Sequence, residues 1–427
     1  MKRIIVCVVV LCCWCSMLSA AAHIAGSSLS EYVLVYNHLA EAEEGSAMAA
    51  EVQQMIADAY GRRLTVQDDA QPVPTKAIVL QHSEGLTPFQ YKVCMDGHRL
   101  VIDAGGCWAM RSAAQQAVKK MSGRGIPRGY AIEGTVEGEV LFPREDDVEL
   151  RILDDNIWEY NAETIPEAWQ KAGLDCRDDW RAPQFAQLVR AYMPDVVLLQ
   201  EYNRHMHERF YPLIQQYGYQ IAWEPGEAWD NTPVFFRTDR LEMLESNFML
   251  YTPERWSNHG TKSYTSAVFR HKVTGDTVAC ISTHLWWQSD KKTPGSTQAR
   301  AAQVRLIMAE AEAIKAKYGC TLFLAGDLNS EEEKIPVQQL LEGGYVPCYR
   351  NAERRTDNQN GHHTCGPNSV GVRRSARLSA ERQGGAIDHC FIYNAQPGAR
   401  VLNFECLTPW FTVLLTDHYP NLIDARL

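Results

Sequence analysis

The stretch Thr321 to Ser330, TLFLAGDLNS, constrains the chain more than any other. Leu322 to Ala325 form a short apolar run without helical period, the pattern of a buried strand. Gly326 permits a sharp departure from the sheet, and Asp327 and Asn329 then stand at the carboxyl end of that strand. A spacing of two directs both side chains the same way for as long as the backbone stays extended. A carboxylate and an amide in one pocket suit phosphoryl chemistry, because the carboxylate orients a water or metal-bound oxygen while the amide donates to a non-bridging oxygen. The same residues also read as an Asp-x-Asn turn capping a helix that starts near Glu331, a common duty of Asx residues after a strand. The rest of the chain decides between these readings.

Met1 to Ala22 has the layout of a secretory signal: Lys2 and Arg3, an apolar run from Ile4 to Leu18, then small residues Ser19 to Ala22 with an A-x-A-like cleavage option. The protein is therefore expected to be exported, to a periplasmic or extracellular location. The run is shorter than the roughly 20 residues of a membrane span, and Leu11 argues against lipid attachment at Cys12. No later segment is apolar enough to span a bilayer. The formal charge is −10, and removal of Lys2 and Arg3 with the leader makes it two units more negative. Non-specific nucleic-acid binding draws its free energy from Lys and Arg neutralising phosphates, so this balance weighs against a duplex-DNA binder. Of thirteen cysteines, Cys7, Cys12, Cys13 and Cys15 fall in the leader and leave an odd number, scattered and without a C-x-x-C. They read as small core residues rather than a disulfide framework or a zinc site.

The remaining length exceeds one typical domain, and two are expected. Residues 24–140 carry a strand at Tyr32 to Tyr36, then a helix whose apolar positions Met48, Val52, Met55, Ile56 and Ala59 recur at helical spacing and which Gly61 ends. Short strands follow at Leu64 to Val66, Ala77 to Leu80, Tyr91 to Cys94 and Leu100 to Ile102, with the turn Asp96-Gly97 between the last two, then a helix from Met110 to Met121. This is a small α/β domain without a catalytic constellation. It resembles the accessory α/β domain that precedes the catalytic domain of several bacterial glycoside hydrolases. The charged stretch Arg144 to Glu149 is the expected boundary, with Val140 to Phe142 a candidate strand.

Residues 149–427 present a series of apolar runs, each delivering polar residues at its end. Ile152-Leu153 leads to Asn156, and a helix at Gln184 to Tyr192 stops before Pro194, ahead of a strand that ends at Glu201. Val278 to Ser282 ends at Thr283-His284, and a long helix from Thr297 to Tyr318 leads into the stretch with Asp327 and Asn329. Ala386-Ile387 carries Asp388 ahead of Cys390 to Tyr393, and Val413 to Leu415 delivers Asp417 and His418.

The ordered set Asn156, LLQE at Glu201, STHL at His284, GDLN, AIDH at Asp388 and TDHYP at Asp417-His418 resembles the endonuclease/exonuclease/phosphatase superfamily from residue 149 to the C-terminus. Six short motifs in the family's order are far more specific than any one of them. The resemblance implies a four-layer α/β sandwich, two packed mixed sheets with outer helices, preceded here by the small α/β domain. It also implies a metal-dependent phosphoric ester hydrolase. Glu201, with Asp417 beside it, would bind Mg²⁺ (or Mn²⁺), as an all-oxygen set suits. Asp388 would orient His418 to take a proton from water; Asp327 would orient the water or leaving group; Asn329, Asn156 and His284 would donate to phosphate oxygens.

Departures narrow the subgroup. AIDHC lacks the longer aromatic and arginine-containing form found in inositol-polyphosphate phosphatases, and Trp158 stands where abasic-site endonucleases carry Asp. Asn231-Thr232-Pro233 resembles a phosphate-side segment of small secreted members and makes Asn231 a candidate substrate contact, with a turn role as the alternative. Trp286 and Trp287 follow the His284 motif; Trp286 is taken as a stacking platform for a base or sugar, although strand alternation buries one of the pair. His362, His363 and Cys365 lack a fourth ligand at a sensible spacing. The expected activity is hydrolysis of a small or membrane-surface phosphate ester. A secreted nuclease is the runner-up, for which a groove lined by Arg204, Arg237 and Arg300 would be needed, and a catalytically silent carbohydrate- or surface-binding protein is the alternative of another class.

Overall fold

The structure is a computed structural model describing residues 22–36, 42–83, 85–159, 177–223, 229–251, 262–355, 386–407, 415–416 and 418–427. The leader up to residue 21, the run at residues 413–414, His362, His363, Cys365 and Asp417 lie outside the described residues. The chain divides into two compact units, Met1–Thr135 and Val136–Leu427.

In the first unit β1 (His23–Ile24) and β2 (Ser27–Ser28) form a small antiparallel ladder. They are followed by β3 (Val33–Tyr36), α1 (Ala42–Tyr60), β4 (Thr65–Asp68), β5 (Ala77–His82), β6 (Gln90–Asp96), β7 (Arg99–Ala104), α2 (Cys107–Lys120) and β8 (Ala131–Thr135). The sheet order is β4-β3-β5-β7-β6-β8, with β4, β3, β5 and β7 parallel. Gly97, at φ +61, turns the β6–β7 hairpin as the Asp-Gly pair requires. Leu34, Ile56, Ile78, Leu80, Ile102 and Trp108 are among its fully buried side chains.

The second unit comprises β9 (Leu150–Asn156), α3 (Asp178–Tyr192), β10 (Val196–Gln200), α4 (Arg204–Gln215), β11 (Tyr219–Ile221), β12 (Val234–Arg237), β13 (Leu241–Leu250), β14 (Ser263–His271) and β15 (Thr277–His284). After these come α5 (Ser296–Tyr318), β16 (Thr321–Asp327), α6 (Ile335–Glu342), β17 (Val346–Pro347), α7 (Cys348–Asn351), β18 (Arg354–Arg355), β19 (Asp388–Tyr393), β20 (Arg400–Cys406) and β21 (Asn421–Arg426). Two mixed sheets result, ordered β11-β12-β10-β9-β21-β20-β18 and β13-β14-β15-β16-β19-β17.

Strand alternation builds the layers. One face of the first sheet (Ile152, Leu198, Val234, Ile423) meets one face of the second (Phe269, Cys280, Phe323, Ile392) in a hydrophobic core. On the reverse of the first sheet, Leu153 and Leu199 meet Phe185 and Leu188 of α3 and Phe210 of α4. On the reverse of the second, Ile281 and Leu324 meet Val304 and Ile307 of α5 and Leu340 of α6. The expected helix–sheet–sheet–helix sandwich is therefore present. Cys280, Cys320, Cys348 and Cys390 are buried free thiols, and Cys406 is buried as well, as the reading of the cysteines as small core residues expects.

The unit boundary falls earlier than the charged stretch at Arg144. The N–H groups of Leu141 and Phe142 both donate to Ala191 O, at 3.0 and 2.9 Å, which pins this segment to the end of α3 instead of into a sheet. Arg144 forks onto Asp195 at 2.6 and 2.8 Å, so these residues belong with the second unit. The helix expected to start near Glu331 begins at Ile335.

Candidate active site

Strand register places the motif residues at one end of the sandwich. In the first sheet β9 and β10 run parallel with Asn156 opposite Gln200, so Asn156 and Glu201 leave the sheet side by side. In the second, His284 lies opposite Asp327 across the parallel pair β15–β16, and Asp327 lies opposite Asp388 across the antiparallel pair β16–β19. Three functional groups thus stand in a row on adjacent strands. Asn421 is opposite Asp154, so the chain ahead of β21, with Thr416 and His418, arrives at the same end.

Face-to-face packing closes the two sets on each other. Asn156 Nδ2 donates to Asp327 Oδ2 at 3.1 Å, across the gap between the sheets. His418 Nδ1 lies 2.8 Å from Asp388 Oδ2, and its Nε2 is 3.9 Å from Asp327 Oδ2. Around His284 Nε2 stand Asn329 Nδ2 at 3.1 Å, Asp327 Oδ2 at 3.3 Å and Glu201 Oε1 at 3.9 Å. Glu201 Oε2 accepts the backbone N–H of Glu159 at 2.7 Å. Asp327, Asp388 and His418 offer ligand atoms within 4.8 Å of one another and could also hold a cation.

The backbone here is held in costly conformations. Trp158, Glu201 and Asn329 have φ of +61, +59 and +48, three of the six non-glycine residues with positive φ among those described. Such strain is retained where surrounding contacts over-determine it, often at functional sites. Asn329 also departs from the extended path, so strand alternation is not what brings it to His284. Asp327 Oδ1 accepts the Asn329 N–H at 2.8 Å, and this Asx turn swings the amide back into the site. One oxygen of the Asp327 carboxylate thus closes the turn while the other faces Asn156 and His284, and the helix that follows is not capped by this turn, since it starts at Ile335 after Lys334.

Charge has physical consequences in this cluster. Burial alone would raise the Asp327 carboxyl, but His284 and His418 hold it well below the usual range. Burial likewise opposes ionisation of Glu201, and His284 and Lys262 overcome it, so its carboxyl also lies low. Beneath the site Asp154, facing the core between the sheets, is pushed by burial up to about 8, although Gln200 Nε2 donates to it at 2.9 Å.

Two expected contacts land differently. Trp286 is 8 % exposed, with Nε1 donating to Ser296 Oγ at 3.1 Å, whereas Trp287 is 46 % exposed. The exposed indole of the pair is therefore that of Trp287, past the end of β15. Asn231 is buried and its amide donates to Tyr202 O at 3.2 Å, which makes it a brace for the turn after Glu201. The three arginines form no common groove. Arg237 is paired with Asp239 beside Gly218 and Asp195, at the opposite end of β10 from Glu201. Arg300 donates to the carbonyls of Trp286 and Gln288, and Arg204 lies 5.3 Å over Trp229.

Two site residues carry no sequence motif. Lys262, one residue ahead of β14, places Nζ 2.8 Å from His284 Nε2. Arg181, fully buried, donates to Ile157 O, Trp158 O, Leu415 O and Asp178 Oδ1 at 2.7 to 3.0 Å, tying the loop after Asn156 to the loop before His418. A lysine ahead of an apolar strand and an arginine in a helix are ordinary in sequence; only the tertiary fold makes them special.

A profile of the Endonuclease/Exonuclease/phosphatase family matches residues 180–406, more than half of the chain. Over 212 residues the chain is 23 % identical to the CCR4-Not complex 3'-5'-exoribonuclease subunit Ccr4 of Debaryomyces hansenii, covering 41 % of this chain and 25 % of that protein. Its likeness to the Candida albicans Ccr4 is 22 % over 202 residues, 39 % of this chain and 25 % of that protein. The chain thus spans about a quarter of the length of these curated relatives. An endonuclease/exonuclease/phosphatase family protein from Bacteroides thetaiotaomicron shares the fold at a TM-score of 0.50 and 17 % identity, over 65 % of this chain and 97 % of that one.

Proposed function

This chain belongs to the endonuclease/exonuclease/phosphatase family, whose members hydrolyse phosphoester bonds, and from that premise we propose that it is an exported, Mg²⁺-dependent phosphoesterase acting on a small or membrane-surface ester by attack of an activated water. The observation that carries this reading is the buried His418–Asp388 pair at 2.8 Å, with the imidazole's Nε2 3.9 Å from Asp327 Oδ2, which in turn accepts from Asn156.

The residues divide the work as follows. With Nδ1–H donated to Asp388, His418 keeps Nε2 as an acceptor, and the carboxylate stabilises the imidazolium formed when a proton is taken from water. Asp327, held ionised, orients that water, the departing oxygen takes its proton from solvent, and the amides of Asn156 and Asn329 face phosphate oxygens. The carboxylate oxygens of Glu201 and Asp327 both face His284 Nε2, at 3.9 and 3.3 Å, and such oxygens fit a hard divalent cation and not a thiolate-seeking metal. Glu201 would hold that ion, which when bound supplies neutralisation of charge on the phosphate oxygens. Asp417 is proposed as its neighbour. No covalent phosphoenzyme is needed.

The acidic charge and the separation of Arg204, Arg237 and Arg300 favour an ester held by one phosphate over a duplex, where several must be neutralised at once. The likeness to Ccr4 favours a second reading, a 3'-5'-exoribonuclease. Purified protein with Mg²⁺ is to be tested on phosphomonoesters, phosphodiesters, phospholipid headgroups and oligoribonucleotides, from about 50 to 200 mM salt. Chelator-sensitive turnover of small esters with shallow salt dependence is expected. Stepwise RNA trimming without small-ester turnover would establish the second reading, and no turnover of any of these with metal would overturn both.

A further inference from the structure

Lys262 is 5 % exposed at the head of β14, with Nζ 2.8 Å from Nε2 and 3.1 Å from Nδ1 of His284. The same Nε2 also faces the Asn329 amide nitrogen at 3.1 Å, with Asp327 and Glu201 beyond at 3.3 and 3.9 Å. An ammonium has three N–H groups and no acceptor, and an amide nitrogen likewise only donates. His284 Nε2 therefore stands between two donors, Lys262 and Asn329, and two carboxylates, Asp327 and Glu201. In this geometry the imidazole packs against the Lys262 amine and fixes where it stands relative to the carboxylates.

The position of that amine is informative. Burial lowers the Lys262 amine below its usual range, and the carboxylates of Glu201, Asp327 and Glu159, together with any phosphoryl group that enters, work to keep it charged. It stands beside the row where His284, Asp327 and Asp388 leave the second sheet. A phosphoryl group entering between the sheets brings negative charge to a site already lined by carboxylates, and neutral amides alone do not offset it. A compact point charge on a fixed stem does.

We propose that Lys262 is a substrate-holding residue: its ammonium takes a non-bridging oxygen of the phosphoryl group, and His284 is the positioning residue that aims it. This rests on the phosphoesterase reading for its substrate but can be tested without turnover. The probe is inorganic phosphate, measured by calorimetry on the full Mg²⁺-loaded chain and as a competitive inhibitor. Lys262→Met is expected to weaken phosphate at least tenfold and to raise KM for a monoester by a similar factor, with a smaller effect on kcat. Lys262→Arg should recover part of the loss. Mg²⁺ affinity, titrated separately, should stay level or rise, because a positive charge has been removed beside Glu201.

Phosphate affinity within twofold of the parent in a folded Lys262→Met protein would overturn the proposal. So would loss of Mg²⁺ affinity in step with phosphate, which would mark a structural role in holding Glu201. If Lys262→Met and Lys262→Gln both fail to fold, Lys262 is likewise structural and the proposal falls. A parent that binds phosphate through Lys262 yet hydrolyses no ester would sink the enzymatic reading while leaving this one intact.

Discussion

At the scale of single residues, the carboxylates of the site are kept charged by one another's partners, and this separates their catalytic from their structural worth. Glu201→Gln and His418→Ala are each expected to lower kcat by about 10² to 10⁴, the usual worth of a general base or its equivalent. The melting temperature of Glu201→Gln should stay near the parent's or rise, since removing one negative charge relieves repulsion among Glu201, Asp327 and Asp388, whereas His418→Ala, which strips buried Asp388 of its partner, should lower it. Near-parent kcat at saturating Mg²⁺ in either variant would refute the assigned roles. Asp154 makes a different prediction. Its folded carboxyl, pushed up to about 8 by burial, lies above its unfolded value near 4. Between those values the folded state holds a proton that the unfolded state has lost, so this group's stabilisation is complete below about pH 4 and declines as pH rises to about 8. Asp154→Asn should flatten the stability–pH slope in that window by on the order of 1 kcal/mol per pH unit, read from urea midpoints at successive pH values. An unchanged slope would show that Asp154 is ionised in the folded core. Sequence made the motif residues legible because each follows an apolar run. Lys262 and Arg181 were illegible because their roles depend on carbonyls and rings far away along the chain.

At the scale of elements, the site exists because four strands, β9, β10, β15 and β16, end at the same edge of the sandwich. The apolar runs announced β9, β10, β15, β16 and β19, and the helical periods announced α1, α2, α3 and α5. The long pair β13 and β14 gave no comparable signal: LEMLESNFML is largely exposed or half-buried along its length, so polar residues interrupt the expected run. Gly326 tests how tightly the element ends are fixed. Its φ is +142, and a Cβ there would lie 2.0 Å from the carbonyl oxygen of Thr283 on β15. Because the obstacle is backbone, no rotamer can relieve it. Gly326→Ala should therefore cost about 3 kcal/mol or more, seen as a lower urea midpoint, and the displacement of Asp327 from His284 should cut activity even at temperatures where the variant is folded. A loss of stability under 1 kcal/mol would mean that β15 and β16 separate readily.

At the scale of the whole molecule, the division of labour between the two units is the outstanding question, and the residues constrain the answer. Asn156, Glu201, Lys262, His284, Asp327, Asn329, Asp388 and His418 all lie within Val136–Leu427, as do both sheets that position them. That unit has its own hydrophobic core between the sheets and its own helical layers. The first unit has a separate sheet with its own buried residues and supplies none of these side chains. We therefore predict that a chain beginning at Val136 folds alone and hydrolyses a small soluble ester with kcat within about threefold of the full chain, a rate change of well under 1 kcal/mol in barrier. Starting at Arg144 instead should be more damaging, because it removes the backbone donors of Leu141 and Phe142 from Ala191 and the Gly138 N–H from Gln187 Oε1. The comparison is made by thermal unfolding and by steady-state kinetics on the same ester. A folded Val136 chain with no activity would show that the first unit completes the active site, and equal stability of the two shortened chains would show that residues 136–143 contribute nothing to the second unit. Retained turnover of a soluble ester together with lost turnover of the same headgroup on a vesicle would instead assign the first unit to recognition of the surface that carries the substrate.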